Sequence, residues 1–176
     1  MAITVGQQAP QFTLYDTDKN QVSLSDFKGE NVVLSFFPGA FTGVCNTMAC
    51  TLDDRSKDFS SLNAKVLAIS VDSIFSQQVW KQQNNMSYTV LSDYNREVIK
   101  SYDVIWENLA ALEGYNTANR AVFIINAQGE VSYAWIAPNP GVEPDYDEIV
   151  ATLGSSVHDS LWNPINGLKL VADEEP

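Results

Sequence analysis

The sequence of 176 residues predicts an α/β fold, a mixed β-sheet with helices on both of its faces. Three observations carry that expectation. Two apolar runs rich in β-branched residues, 32–37 and 65–71, have the composition of strands buried on both sides. Stretches with apolar residues at helical spacing follow each of them, an order that favours parallel pairing. Two further runs, 120–126 and 131–136, flank the turn Ala127-Gln128-Gly129-Glu130 and read as an antiparallel hairpin.

The elements follow in chain order. Residues 11–15 and 21–24 alternate polar with apolar around Asp16-Thr17-Asp18-Lys19-Asn20, which predicts a half-exposed N-terminal β-hairpin. Val32-Val33-Leu34-Ser35-Phe36-Phe37 is the central strand, and it stops at Pro38-Gly39. From 43 to 62, Val44, Met48, Leu52, Phe59 and Leu62 recur at near-helical spacing and predict one long helix. A second buried strand over 65–71 leads to a helix over 73–84, opened by a Ser or Asp cap. A short strand near Val90-Leu91 and a helix over 95–102 form another β-α unit, and a last helix covers 145–158. This order is that of a thioredoxin-like domain. Residues 1–160 are expected to form it alone, with 161–176 as a partly disordered C-terminal extension ending in acidic residues.

Bulk properties narrow the function. A net charge of −12 repels phosphate backbones and anionic lipid, so neither nucleic acid nor a membrane is an expected partner. The N-terminus lacks a basic segment followed by a long apolar one, and no apolar run approaches the ~20 residues of a spanning helix, so a cytoplasmic location is expected. In a reducing compartment two cysteines are catalytic, metal-bound or buried, not a structural staple. With His158 as the sole histidine, a four-ligand zinc site does not close without carboxylates, so neither metal nor cofactor is expected.

The informative segment is Phe37-Pro38-Gly39-Ala40-Phe41-Thr42-Gly43-Val44-Cys45, in which a buried strand ends at proline and a cysteine opens the next helix. It carries the pattern P-x3-T-x2-C and resembles the signature of the peroxiredoxins. Arg120, opening the run Arg120-Ala121-Val122-Phe123-Ile124, matches as well, and the resemblance covers about residues 4 to 155. It implies a thiol peroxidase that reduces hydrogen peroxide and organic hydroperoxides through a sulfenic acid at Cys45. Pro38, Thr42 and Arg120 are its expected catalytic companions, and Gly43 and Val44 its substrate-binding backbone. The chemistry supports each assignment. A free cysteine is only about 3% ionised at neutral pH, whereas a peroxide is cleaved by the thiolate. The first turn of a helix and a guanidinium both favour the anion. The Thr42 hydroxyl and the N–H groups of Val44 and Cys45 can orient the O–O bond and stabilise charge on the leaving oxygen.

The C-x4-C spacing of Cys45 and Cys50 resembles the bacterioferritin-comigratory, or Q-type, peroxiredoxins. That likeness implies Cys50 as the resolving cysteine of an intramolecular disulfide, recycled by thioredoxin or a similar dithiol. In a regular helix residues i and i+5 lie about 8.6 Å apart at Cα, whereas a disulfide tolerates at most about 7 Å, so the helix must unwind. Alternatively Cys50 is a buried helix residue and the chain a one-cysteine peroxiredoxin, which the Phe41-Thr42-Gly43-Val44-Cys45 wording also resembles. A redox-sensing or chaperone-like binding module, with Trp80, Trp106, Trp135 and Trp162 at an interface, is the reading outside enzymology. The family resemblance further implies a homodimer or higher homo-oligomer.

Overall fold

In the computed structural model, which describes residues 3–161, the strands are β1 (Thr13–Asp16), β2 (Gln21–Ser23), β3 (Asn31–Phe36), β4 (Ala64–Ser70), β5 (Thr89–Ser92), β6 (Ile105–Trp106), β7 (Thr117–Ala118), β8 (Ala121–Ile125) and β9 (Val131–Ile136). The α-helices are α1 (Gly43–Asp54), α2 (Ser56–Ser61), α3 (Ile74–Gln83), α4 (Glu97–Ser101) and α5 (Tyr146–Leu161). The main sheet runs β2-β1-β5-β4-β3-β8-β9, with β3, β4 and β5 parallel and the other pairings antiparallel. Every residue of β3 is buried, because strands pair with it on both edges and helices cover both faces.

Alternation along the strands sorts their side chains between two cores. Leu34, Phe36, Leu67, Ile69 and Phe123 pack on one face with Val98, Ile99 and Tyr102 of the α4 region. Val33, Val66, Ala68, Val122 and Ile124 pack on the other with Met48, Leu52, Phe59, Trp80, Ile149 and Leu153, which belong to α1, α2, α3 and α5. The mixed sheet, the N-terminal hairpin and the helices on both faces are those the sequence predicts.

Three details differ from expectation. The single helix over 43–62 is broken at Arg55 into α1 and α2. Arg55 has ψ near 3°, and its guanidinium turns to pair with Asp147 of α5 and with Asp58. Just before it, Asp53 accepts the backbone N–H and hydroxyl of Ser87, so the end of α1 is tied down on two sides. Arg55 is shared by the two helices, its N–H bonding the Thr51 carbonyl and its carbonyl accepting from Phe59 N–H, so the chain keeps nearly the helical period through the break. Next, α4 starts at Glu97 and not at 95, because Arg96 takes a left-handed φ of 62° and the Asp93 carboxylate receives the N–H groups of Glu97 and Ile99. Lastly, β6 and β7 form a separate ladder of two residues each, too short to leave a periodic signal.

Trp80 is buried and stacks on Phe37 with ring centroids 4.8 Å apart, whereas Trp106 and Trp135 are half-buried. Trp162, the side chain of His158 and the acidic extension lie outside the described residues. No helix among the described residues is long and apolar enough to cross a membrane.

Candidate active site

Where β3 ends, the chain must turn sharply and start α1. Phe37 N–H still bonds the Ile69 carbonyl at 3.0 Å, and then Pro38, which has no N–H to give a neighbouring strand, terminates the ladder. Pro38 and Gly39 are buried, and Ala40 N–H donates to the Asp72 carboxylate at 2.8 Å. Phe41 is 52% exposed and adopts a φ of 65°, a left-handed conformation that costs a side-chain-bearing residue about 1–2 kcal/mol. Hydrogen bonds on either side hold it there. One is the Asp72 bond, and the other runs from the Thr42 hydroxyl to the Gly39 carbonyl at 3.1 Å.

Thr42 has the extended backbone of a helix N-cap, yet its side chain makes no cap bond. Its hydroxyl proton is turned back to the Gly39 carbonyl instead. Gly43, Val44 and Cys45 are the first three residues of α1. The first backbone bond into the helix is Asn46 N–H to the Thr42 carbonyl at 3.0 Å, which leaves the N–H groups of Val44 and Cys45 ahead of the helical ladder. The positive end of the helix dipole therefore lies at Cys45.

Arg120 arrives from the other end of the chain. It immediately precedes β8, and the register that pairs Phe36 with Ala121 sets the start of β8 beside the exit of β3. The side chain is 1% exposed. Its Nη2 donates to the Cys45 Sγ at 3.3 Å and to the Pro140 carbonyl at 3.0 Å, Nε also bonds Pro140 at 3.1 Å, and Nη1 meets the Met48 Sδ at 2.9 Å. Asn119 fixes the base of this arm by accepting Arg120 N–H at 2.8 Å while its amide reaches the Ala137 carbonyl. Cys45 is itself 1% exposed, and the neighbouring residues 41–43 are open to solvent. Pro38, Thr42, Gly43, Val44, Cys45 and Arg120 are thus brought together.

Cys50 is not. It sits on the exposed side of α1, so the alternative of a buried helix residue is corrected; its thiol makes a long hydrogen bond, 4.0 Å, to the Asn84 Oδ1. Both cysteines are free thiols. Neighbouring positions of α1 are tethered: the Trp80 indole donates to the Asn46 Oδ1 at 2.6 Å, and the Tyr88 hydroxyl to the Ala49 carbonyl at 3.2 Å.

Three residues of the site were missed from sequence: Met48, Asp72 and Pro140. Met48 reads as one more apolar residue of the helix, and Pro140 acts through a carbonyl that every residue possesses. Asp72 did leave a signal, a carboxylate two residues past a buried strand end. It stands at the end of a chain of bonds from the buried Gln77 amide to the Ser70 hydroxyl at 2.9 Å, and from Ser70 to the Asp72 Oδ2 at 2.7 Å. Removing it should free the turn. Asp72→Ala is expected to slow the reaction of Cys45 with peroxide about tenfold and to destabilise the fold by about 1–3 kcal/mol, because Ala40 N–H and Ser70 lose their acceptor. Stopped-flow kinetics and urea denaturation measure the two effects, and an unchanged rate would show that the turn holds itself.

A buried guanidinium on a sulfur at a helix N-terminus suits a protein whose cysteine works as a nucleophile. Comparison with known proteins gives the family. The AhpC/TSA family model matches residues 5–134. The peroxiredoxin bcp of Coxiella burnetii is 35% identical over 153 residues, which cover 87% of this chain and 100% of that one. A chloroplastic 2-cysteine peroxiredoxin of Chattonella marina var. antiqua is 36% identical over 175 residues, 93% of this chain and 85% of that one. Among solved structures, the reduced 2-Cys peroxiredoxin of Plasmodium vivax shares the fold with a TM-score of 0.79 at 28% identity, over 89% of this chain and 83% of that one. The chain belongs to the AhpC/TSA family and is a peroxiredoxin, a thiol-dependent peroxidase with a thioredoxin-like fold.

Proposed function

We propose that Cys45 attacks hydrogen peroxide and organic hydroperoxides, and that Cys50 then resolves the product as an intramolecular disulfide. The observation that carries the first step is the Arg120 Nη2 at 3.3 Å from the Cys45 sulfur. The thiolate attacks one peroxide oxygen, the S–O bond forms as the O–O bond breaks, and water or an alcohol leaves after taking up a proton. Cys45 is left as a sulfenic acid. Arg120 and the N–H groups of Val44 and Cys45 stabilise negative charge on the sulfur before attack and on the leaving oxygen during it. Because the Thr42 proton is committed to Gly39, its oxygen lone pairs are left to accept the O–H of the incoming peroxide and fix its orientation. Pro38 closes the floor of the turn against water.

In the second step the Cys50 sulfur attacks the sulfenic sulfur, the disulfide forms and water leaves. The exposure of Cys50 and its single long contact support this role, since little holds the side chain in place. The helix must still open, and the Trp80–Asn46 and Tyr88–Ala49 bonds oppose that by about 1 kcal/mol each. The opened disulfide is then reduced by thioredoxin or a similar dithiol in the cytoplasm, where such reductants keep thiols reduced.

Mass spectrometry after one equivalent of peroxide tests the sequence of events. We expect the loss of two hydrogens and a peptide linking Cys45 to Cys50, and in Cys50→Ser a sulfenic acid that dimedone traps. A stable sulfenic acid in the unaltered protein with the Cys50 thiol still free would replace resolution by the one-cysteine route.

A further inference from the structure

Among the described residues, the cation recorded against the Cys45 sulfur is Arg120. The other arginines are engaged elsewhere, Arg55 with Asp58 and Asp147, and Arg96 with the carbonyls of Tyr94 and Asn116. Two segments border the buried sulfur on its solvent side. One is the open turn at 41–43, and the other is the stretch after β9, whose Pro140 carbonyl shares the Arg120 Nη2 with Cys45. Neither contains a lysine or an arginine. Three residues past Pro140 the chain instead carries a negative charge. The backbone turns through the bond from Val142 N–H to the Asn139 carbonyl at 3.2 Å, and the half-buried Glu143 that follows is fastened by the Tyr146 hydroxyl at 2.6 Å. Tyr146 packs against the core that holds Cys45, and the Arg120 charge reaches its phenol, so the Glu143 carboxylate is held on the Arg120 side of this opening.

We propose that Glu143 is a specificity-determining residue: its fixed carboxylate at the mouth of the site disfavours hydroperoxides that bear a negative charge and so selects uncharged ones. The inference rests on Cys45 being the attacking thiolate, and it narrows the substrate class of that reaction. Arg120 does not offset the repulsion, because its charge is matched by the Cys45 anion. A charged tail projecting past the turn meets Glu143 at short range, and half-burial weakens the screening that salt gives an exposed charge. An uncharged alkyl or aryl tail feels no such repulsion and finds the exposed apolar side chains of Phe41 and Val142.

Cumene hydroperoxide and the same molecule with a para-carboxylate form a matched pair of probes, alike in reacting group and nearly so in bulk. Each is mixed at low salt with the protein in a Cys50→Ser background, and the Cys45 sulfenic acid is trapped by dimedone at successive times. The ratio of the two rates is the readout, since any change in the thiol itself acts on both probes alike. The carboxylated probe should be the slower, and Glu143→Gln should narrow the ratio about two- to fivefold. Glutamine keeps an acceptor for the Tyr146 hydroxyl, and Glu143→Lys is a second arm that should narrow the ratio further. Glu130→Gln removes an equal charge from the β8–β9 turn, at the end of β8 away from Arg120, and should leave the ratio where it was. That control separates Glu143 from the general field of a chain with a net charge of −12. Equal rates for the two probes, or a ratio that Glu130→Gln moves as far as Glu143→Gln, would overturn the proposal while leaving the peroxidase reading standing. Failure to form sulfenic acid with either probe would remove that reading, and this inference with it.

Discussion

Cys45→Ser is expected to consume no hydroperoxide, however much dithiol reductant is supplied. Serine fits the space, and its hydroxyl can still accept from Arg120 Nη2, so the chain should fold with a melting temperature within a few degrees of the original. The chemistry is what disappears. An alcohol is not measurably ionised at neutral pH, and its oxygen does not form the sulfenic acid on which the cycle depends. No second group replaces it, because Cys50 lies on the exposed side of α1, away from Arg120 and the turn. A coupled assay in which thioredoxin oxidation follows peroxide loss reads the outcome directly, and turnover above the rate of free thiol would assign the attack to Cys50.

Arg120→Met is expected to have the next largest effect and a different signature. Removing a donor that stabilises developing charge in an enclosed site typically costs 10²–10³ in rate, and a loss of about that size is expected in sulfenic acid formation. Unlike the serine variant, this one should still react. Raising the pH should recover the part of the loss that reflects thiolate population, because hydroxide then does what the guanidinium did. The part due to the leaving oxygen should persist. Arg120→Lys should rescue little, since one ammonium cannot contact Pro140, Met48 and Cys45 as a planar fork does. Stability should also fall by about 1–3 kcal/mol, because the Pro140 carbonyl loses both of its donors inside the protein. A rate within a few fold of the original, with the fold intact, would mean that helix geometry alone activates the sulfur.

What could be read in the sequence follows from how local each feature is. The strands β3 and β4 and the hairpin β8–β9 are legible because burial on both faces, or a turn between alternating runs, is written in adjacent residues. Pro38, Thr42 and Cys45 lie within one turn and one strand end, so their spacing survives in the linear pattern. Arg120 is legible only through its position before a buried strand, and the distance that matters, to Cys45, spans 75 residues. Met48 and Pro140 act through contacts made elsewhere in the chain, and nothing in their own neighbourhoods distinguishes them from core and loop residues, whereas Asp72 is marked only by its place two residues past the end of β4. The break at Arg55 was hidden for the opposite reason, since the apolar period crosses it unaltered while its partner Asp147 sits far along in α5.

On the role proposed for Arg120, the antiparallel pairing of β3 with β8 ties the reactivity of Cys45 to the arrival of β8. A ribosome delivers the cysteine long before the arginine, and in that interval the thiol is no more reactive than one in a small peptide. A product that stops before β8, or a molecule partly unfolded at that strand pair, should react with oxidant no faster. On that reading the sulfur is armed only once β8 has paired with β3, and shorter chains should be spared the oxidation that the folded protein invites.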